Sequence, residues 1–236
     1  MLSAAAPPIS LKPFVSKALP APEPLEEIAP NEPQDLPSAA AFALDRALRT
    51  AEANGDQRPL AFVAERAWLN EHGHPFGWGC RGLGLSHERL ILMVAARQAE
   101  ALWALEETLK SGAVCAALGA VAAPAFVATR RLDFAARAGQ AQGLVLRPRT
   151  PVDLSAARLR WRVGAAPSAA HPLDPRAPGA ARIRAELARS RTGHGGVFLL
   201  EHDPETHGFH LAAGLADHGL APVQAPERNT DRRDAA

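Results

Sequence analysis

Residues 90–121 read LILMVAARQAEALWALEETLKSGAVCAALGAV, and the fold turns on how this stretch divides. Leu90–Ala95 is an uninterrupted apolar run of strand length, the pattern of a strand buried on both faces. Ala99–Lys110 predicts a helix, with Leu102, Trp103 and Leu105 packing on a sheet and Glu106 paired with Lys110 one turn later. Ala113–Val121 predicts the next strand. Strand, helix and strand in this rhythm make a parallel βαβ unit with the helix on one face of the sheet.

The alternation extends both ways. Downstream, Thr129–Ala141 predicts a helix, with Leu132 and Phe134 against the sheet, and Gly143–Leu146 opens another strand. Upstream, Pro59–Ala64 (PLAFVA) reads as a buried strand. Pro37–Asn54 reads as a helix stopped by Asn54-Gly55, and Leu25–Ala29 as a first short strand. After Pro151 the character changes: Leu159–Val163, Ile183–Leu187, Val197–Glu201 and Phe209–Ala212 cluster between turns, with His202–Thr206 as a hairpin turn. The expectation is an α/β fold, a mostly parallel central sheet flanked by helices with an antiparallel C-terminal extension.

At 236 residues the chain can bury a full core. With 26 Lys and Arg against 25 Asp and Glu it is no polycation, although a local basic face is still allowed. Residues 1–24 are dense in proline (Pro7, Pro8, Pro13, Pro20, Pro22 and Pro24), which reads as a flexible segment. Residues 221–236 read as a flexible charged tail, leaving 25–220 as the folded domain. The two cysteines, Cys80 and Cys115, are far apart, which excludes a disulfide scaffold and fits a reducing cytoplasm. No apolar run reaches membrane-spanning length and no signal peptide is legible; the reading is a soluble cytoplasmic protein.

The chemistry is marked by what is missing. Between the first strand and the first helix, a nucleotide-binding α/β domain places glycines whose N–H groups wrap phosphates, and a lysine. Here the segment is Pro30-Asn31-Glu32-Pro33-Gln34-Asp35-Leu36: no glycine, no lysine, two prolines without N–H donors and two acids that repel phosphate. No GxxxxGK[ST] occurs elsewhere. The histidines (His72 and His74; His202, His207 and His210) lack metal-ligand spacing, there is no GxSxG, and Glu106 and Glu107 point about 100° apart on their helix, too divergent for a dyad. The sequence predicts no catalytic residue, no cofactor and no metal.

Two features point to recognition instead. Arg158, Arg160 and Arg162 alternate with Leu159, Trp161 and Val163, so strand geometry puts three arginines on one face; Arg182 and Arg184 repeat the device. Paired strands would gather five guanidinium groups, either as a face for nucleic acid or an acidic partner or as solvated charges that block edge pairing. The Gly-rich stretch 73–84 reads either as a loop over the strand ends or as a partner-facing loop, in which Trp68, Phe76, Trp78 and Arg81 supply hot-spot chemistry.

The runs ALWALEETLKSGAVCAALGAV (101–121), TRRLDFAARAGQAQGLVLRP (129–148) and RLRWRVGAAPSA (158–169), with LLEHDPETHGFHLA closing Ala181–Ala212, resemble the ImuA family, RecA-like proteins of the bacterial damage-inducible mutagenesis cassette. The resemblance implies a RecA-like core without a P-loop, in which Ala113–Val121 carries no acidic metal ligand and the connections Ala122–Ala125 and Arg147–Ala157 are short. It implies a non-catalytic accessory protein of SOS-induced translesion synthesis. Its partners would be an ImuB-like protein, RecA and, indirectly, an error-prone replicative-type DNA polymerase; a weak DNA-binding module on the arginine face is the alternative. The tail and closing strands are the first candidates for the ImuB-like contact.

Overall fold

The computed structural model describes residues 18–149, 153–174, 176–190 and 195–212. β1 (Leu25–Pro30) lies in the middle of a nine-stranded sheet and leads through a 3-10 turn (Pro33–Asp35) into α1 (Leu36–Ala53). Then come β2 (Leu60–Glu65), the short helices α2 (Arg66–His72) and α3 (Gly77–Gly82), β3 (Leu90–Ala95), α4 (Gln98–Lys110), β4 (Ala116–Ala120), α5 (Phe126–Ala138) and β5 (Gln142–Leu146). The chain ends in β6 (Leu159–Ala166), β7 (Arg182–Ser190), β8 (Gly196–Asp203) and β9 (Gly208–Leu211).

The strand order is β3-β2-β4-β5-β1-β6-β7-β8-β9. The first six are mutually parallel and the remainder antiparallel. This is the RecA-like arrangement expected, a parallel core with an antiparallel C-terminal extension. The helix expected at Thr129–Ala141 begins three residues earlier, and the strand expected at Ala113–Val121 is shorter at both ends. Of the expected flexible segment 1–24, residues 1–17 lie outside the described residues, as does the expected flexible tail 221–236.

Two apolar layers sandwich the sheet. On one side Phe42, Ala43 and Ala47 of α1 pack on Ile28, Trp161, Ile183 and Phe198. On the other, Leu105 and Leu109 of α4 and Leu132 and Ala136 of α5 pack on Ala61, Val63, Ala117 and Val145. The antiparallel strands carry the sheet round to α1, where the Asp45 carboxylate accepts the Phe209 N–H at 2.8 Å. From the other direction the end of α3 meets the end of β8, with His202 Nε2 3.0 Å from the Gly82 carbonyl. Residues 42–48 are therefore buried all round, beyond the one-sided stripe that amphipathic periodicity predicts.

One buried charge fixes the centre. Glu26 is wholly buried, and its carboxylate accepts from Arg46 Nε at 2.6 Å, Trp161 Nε1 at 2.8 Å, Gln142 Nε2 at 3.2 Å and the Glu23 N–H at 3.0 Å. Arg46 also donates to the carbonyls of Pro20 and Ala21, which ties the residues before β1 to α1.

Three expectations are corrected. Leu90–Ala95 is a strand but not a buried one: among the described residues β3 pairs only with β2, and Ile91, Leu92 and Val94 are exposed along the sheet edge. Trp103 and Phe134 do not pack on the sheet; they are 63% and 62% exposed. The buried sides of their helices are Ala101, Leu105, Thr108 and Leu109, and Thr129, Leu132, Ala135 and Ala136. Each aromatic stands two positions, about 200°, away from a buried residue. The stretch 73–84 is not an open loop throughout, since it contains α3.

Candidate functional site

The segment at the carboxyl end of β1 is the place to look for nucleotide chemistry, because there the N-terminus of α1 offers its unpaired N–H groups. Its own residues close it. Asn31 N–H donates to the Val163 carbonyl at 2.7 Å. The Asp35 carboxylate, at the N-cap of α1, accepts the Glu32 N–H at 3.1 Å through one oxygen and the Ala165 N–H at 2.9 Å through the other. An anion thus already stands at the helix start, and it is part of the protein. The fit is close: a Cβ on Gly164 would come within 3.1 Å of the Asp35 carboxylate. β4, which would have to present a metal-binding acid, is AALGA, buried throughout and without a carboxylate.

Neither cysteine offers a nucleophile. Both are buried and unpaired, and burial pushes both thiols up from their ordinary range. Among the described residues no group of three His, Cys, Asp or Glu side chains is placed to hold a metal, and no helix is long and apolar enough to cross a membrane. His210 Nε2 lies 2.6 Å from Thr206 Oγ1 and 3.4 Å from Arg49, within the β8–β9 hairpin and its seat on α1.

The four residues of the proposed partner loop separate. Trp68, on α2, is partly buried with its ring against Phe62 and His72, so it is a foundation and not a contact. Phe76 and Trp78 are 70% and 73% exposed, and the Arg81 guanidinium stands over the Trp78 ring at 6.0 Å. Buried Cys80 and Leu85 anchor the stretch that carries them. Between it and α1 runs a cleft of about 490 Å³ lined by Leu36, Pro37, Ala40, Leu44, Phe62 and Trp68. A second depression of about 540 Å³ opens between Trp78, Arg81, His87 and His207. Solvent-exposed aromatics beside concave apolar surface are the composition of a protein-binding patch.

The five arginines are brought together, but not as a bare cationic surface. The β6–β7 register sets Arg162 opposite Glu186, Gly164 opposite Arg184 and Ala166 opposite Arg182, so the arginines share the sheet face turned away from α1. Carboxylates share it too. Arg158 pairs with Glu23 at 3.7 Å, Arg160 with Glu27 at 2.9 Å, Arg182 with Glu201 at 2.6 Å and Arg184 with Glu186 at 3.1 Å. Only Arg162 of the five lacks such a partner among the described residues. Glu27 and Arg147, which the sequence reading did not single out, are central here: Arg147 is buried, 3.5 Å from Glu27 and 3.2 Å from Asp153.

Fold and site together define a RecA-like α/β protein whose phosphate-loop position is filled by its own carboxylate and whose adjoining helical strap carries the exposed aromatics Phe76 and Trp78. Protein ImuA of Caulobacter vibrioides, in strains NA1000/CB15N and ATCC 19089/CB 15, is 36% identical over 175 residues, 68% of this chain and 71% of the relative. The chain belongs to the ImuA family, and with it to damage-induced mutagenesis. The crystal structure of SulA from Pseudomonas aeruginosa is 29% identical over 53% of this chain and 98% of its own, with a TM-score of 0.40. No family model matches.

Proposed function

We propose that this chain is a non-catalytic, cytoplasmic accessory protein of SOS-induced translesion synthesis. In this reading it binds an ImuB-like polymerase-related partner and RecA and, through them, serves an error-prone replicative-type polymerase. The observation that carries the non-catalytic part is Asp35, which satisfies the N–H groups of Glu32 and Ala165 where a nucleotide phosphate would need to bind. Family membership supports the partners, and the exposed pair Phe76 and Trp78 is the contact surface proposed for one of them.

The test is size-exclusion co-purification with the ImuB-like protein and with RecA, each with and without ATP. A complex that forms without nucleotide, and that Phe76→Ala with Trp78→Ala weakens by at least about 30-fold, is the expected result. A complex that requires ATP binding by this chain refutes the non-catalytic reading. Undiminished binding by the double variant moves the contact elsewhere; deletion of 221–236 then tests the tail.

A further inference from the structure

On the sheet face turned away from α1 there is a pocket of about 230 Å³ lined by Glu27, Ala29, Arg160, Arg162, Ala188 and Arg189. Its origin is a β-bulge. Along β7, alternation would send Leu187 to the core, Ala188 outward and Arg189 back into the core. The register instead skips from Trp161↔Leu187 to Arg160↔Arg189. Ala188 is the extra residue, and it turns Arg189 onto the same face as Arg160. The small side chains of Ala29 and Ala188 leave space between the arginines.

The charge count there does not close. Arg160 and the neighbouring Arg147 are buried and share one buried carboxylate, Glu27; Asp153 reaches Arg147 through a carboxylate and Arg160 through its carbonyl. Arg162 has no ion-pair partner among the described residues, and its Nε is buried without a hydrogen bond. Arg189 is exposed and likewise without a carboxylate. Glu186, across the ladder from Arg162, is taken up by Arg184 at 3.1 Å, so these four guanidinium groups stand against two carboxylates. Two of the four are set directly across the ladder, an arrangement that is destabilising when nothing lies between them. We infer that this pocket is an anion site that takes a phosphate group, with Arg162 and Arg189 as its two free forks and Arg160 held behind them by Glu27. The planar fork of arginine and the local surplus of two positive charges suit phosphate oxygens. The site is separate from the closed loop at α1 and does not depend on which protein binds at Trp78.

The phosphate can come from a nucleic-acid strand or from a free anion, and one experiment separates them. Binding of a labelled single-stranded oligonucleotide is followed by fluorescence anisotropy at low salt, and melting temperature is followed against inorganic phosphate. The proteins are the full chain, Arg162→Ala with Arg189→Ala, and Arg137→Ala as a control whose guanidinium is paired with Asp133 on α5. Loss of oligonucleotide affinity by at least about tenfold in the double variant, with a salt slope lower by about 1 to 2 and no change in the control, places a strand phosphate in the pocket. A phosphate-dependent rise in melting temperature that only the double variant loses, without oligonucleotide binding, identifies a free anion. Arg189→Ala alone is also expected to raise the melting temperature in phosphate-free buffer, because it removes the like-charge pair; a structural arginine would lower it. No binding of either ligand, binding indifferent to the double variant, or preference for an acidic peptide over both overturns the assignment.

Discussion

Replacing Glu26 by Gln keeps the shape of the buried side chain and removes its charge. Arg46 Nε, Trp161 Nε1, the Gln142 amide and the Glu23 N–H all converge on that carboxylate. The variant offers one acceptor oxygen and an NH₂ group that must face a donor. The Arg46 guanidinium, itself 6% exposed, is then a buried cation without a counter-charge. Breaking a buried pair from one side destabilises by about 3–5 kcal/mol, a large part of the roughly 5–15 kcal/mol that holds a domain together. At about 2–4 °C per kcal/mol for a chain of this size, melting should fall by about 6–20 °C by circular dichroism. Glu26→Gln combined with Arg46→Met should recover much of the loss, since no lone charge remains. The exposed pair Arg97–Glu100 is the comparison: Arg97→Ala should leave the midpoint unchanged. A Glu26→Gln loss below about 1 kcal/mol, or a double variant no better than the single, would refute the claim that the charge pairing organises this centre.

Other outcomes follow from the same geometry. Asp35→Ala should cost about 1–3 kcal/mol in urea denaturation by stranding the Ala165 and Glu32 N–H groups, and calorimetry should show no gain of ATP binding. Gly139→Ala should destabilise by about 1–3 kcal/mol, because the new Cβ would collide with the Leu109 carbonyl where α4 and α5 approach. Asp56 and Asp45 should respond to pH with opposite signs. Hydrogen bonds from Arg58 hold the Asp56 carboxyl below its ordinary range, so its contribution is present above the unfolded value and fades as pH falls through the folded one. Burial raises Asp45, so the folded state holds its proton more tightly, and that contribution is full at low pH and lost as pH rises through the folded value. Melting curves of Asp56→Asn and Asp45→Asn against wild type over the acid range should diverge in those two directions.

Much of the fold was legible because local signals and tertiary structure agree. The apolar run Leu60–Ala64, the helix stop at Asn54-Gly55 and the alternation of Arg160, Trp161 and Arg162 each say in sequence what the packing does. Edge position was not legible: Leu90–Ala95 carries the composition of a central strand, and periodicity cannot count a strand's neighbours. Trp103 and Phe134 misled because large aromatics are usually buried, whereas here alanines and leucines fill the helix–sheet seam. The absence of a phosphate loop was readable from Pro30–Leu36, but the replacement of the anion by Asp35 was not, since Ala165 lies 130 residues away in sequence. Arg189 was hidden by the bulge at Ala188, which reverses the parity on which a sequence reading depends. Of the five arginines chosen, their common face was legible and their neutralising carboxylates, from strands β1 and β8 among others, were not.

The strand order has a consequence for how the chain is made. Of the described strands β1 is made first, yet both its neighbours come late, Leu25 pairing with Gly143 of β5 and Glu26 with Leu159 of β6. At translation speeds of about 5–20 residues per second, the roughly 120 residues between Leu25 and Gly143 represent a delay of roughly 6–24 s. Throughout that interval the carboxylate of Glu26 has neither Gln142 nor Trp161 to receive it, and Phe42 lacks the Trp161 ring it packs against. The nascent protein must therefore carry β1 without either of its strand neighbours through that interval, a period in which holding chaperones and proteases compete for it.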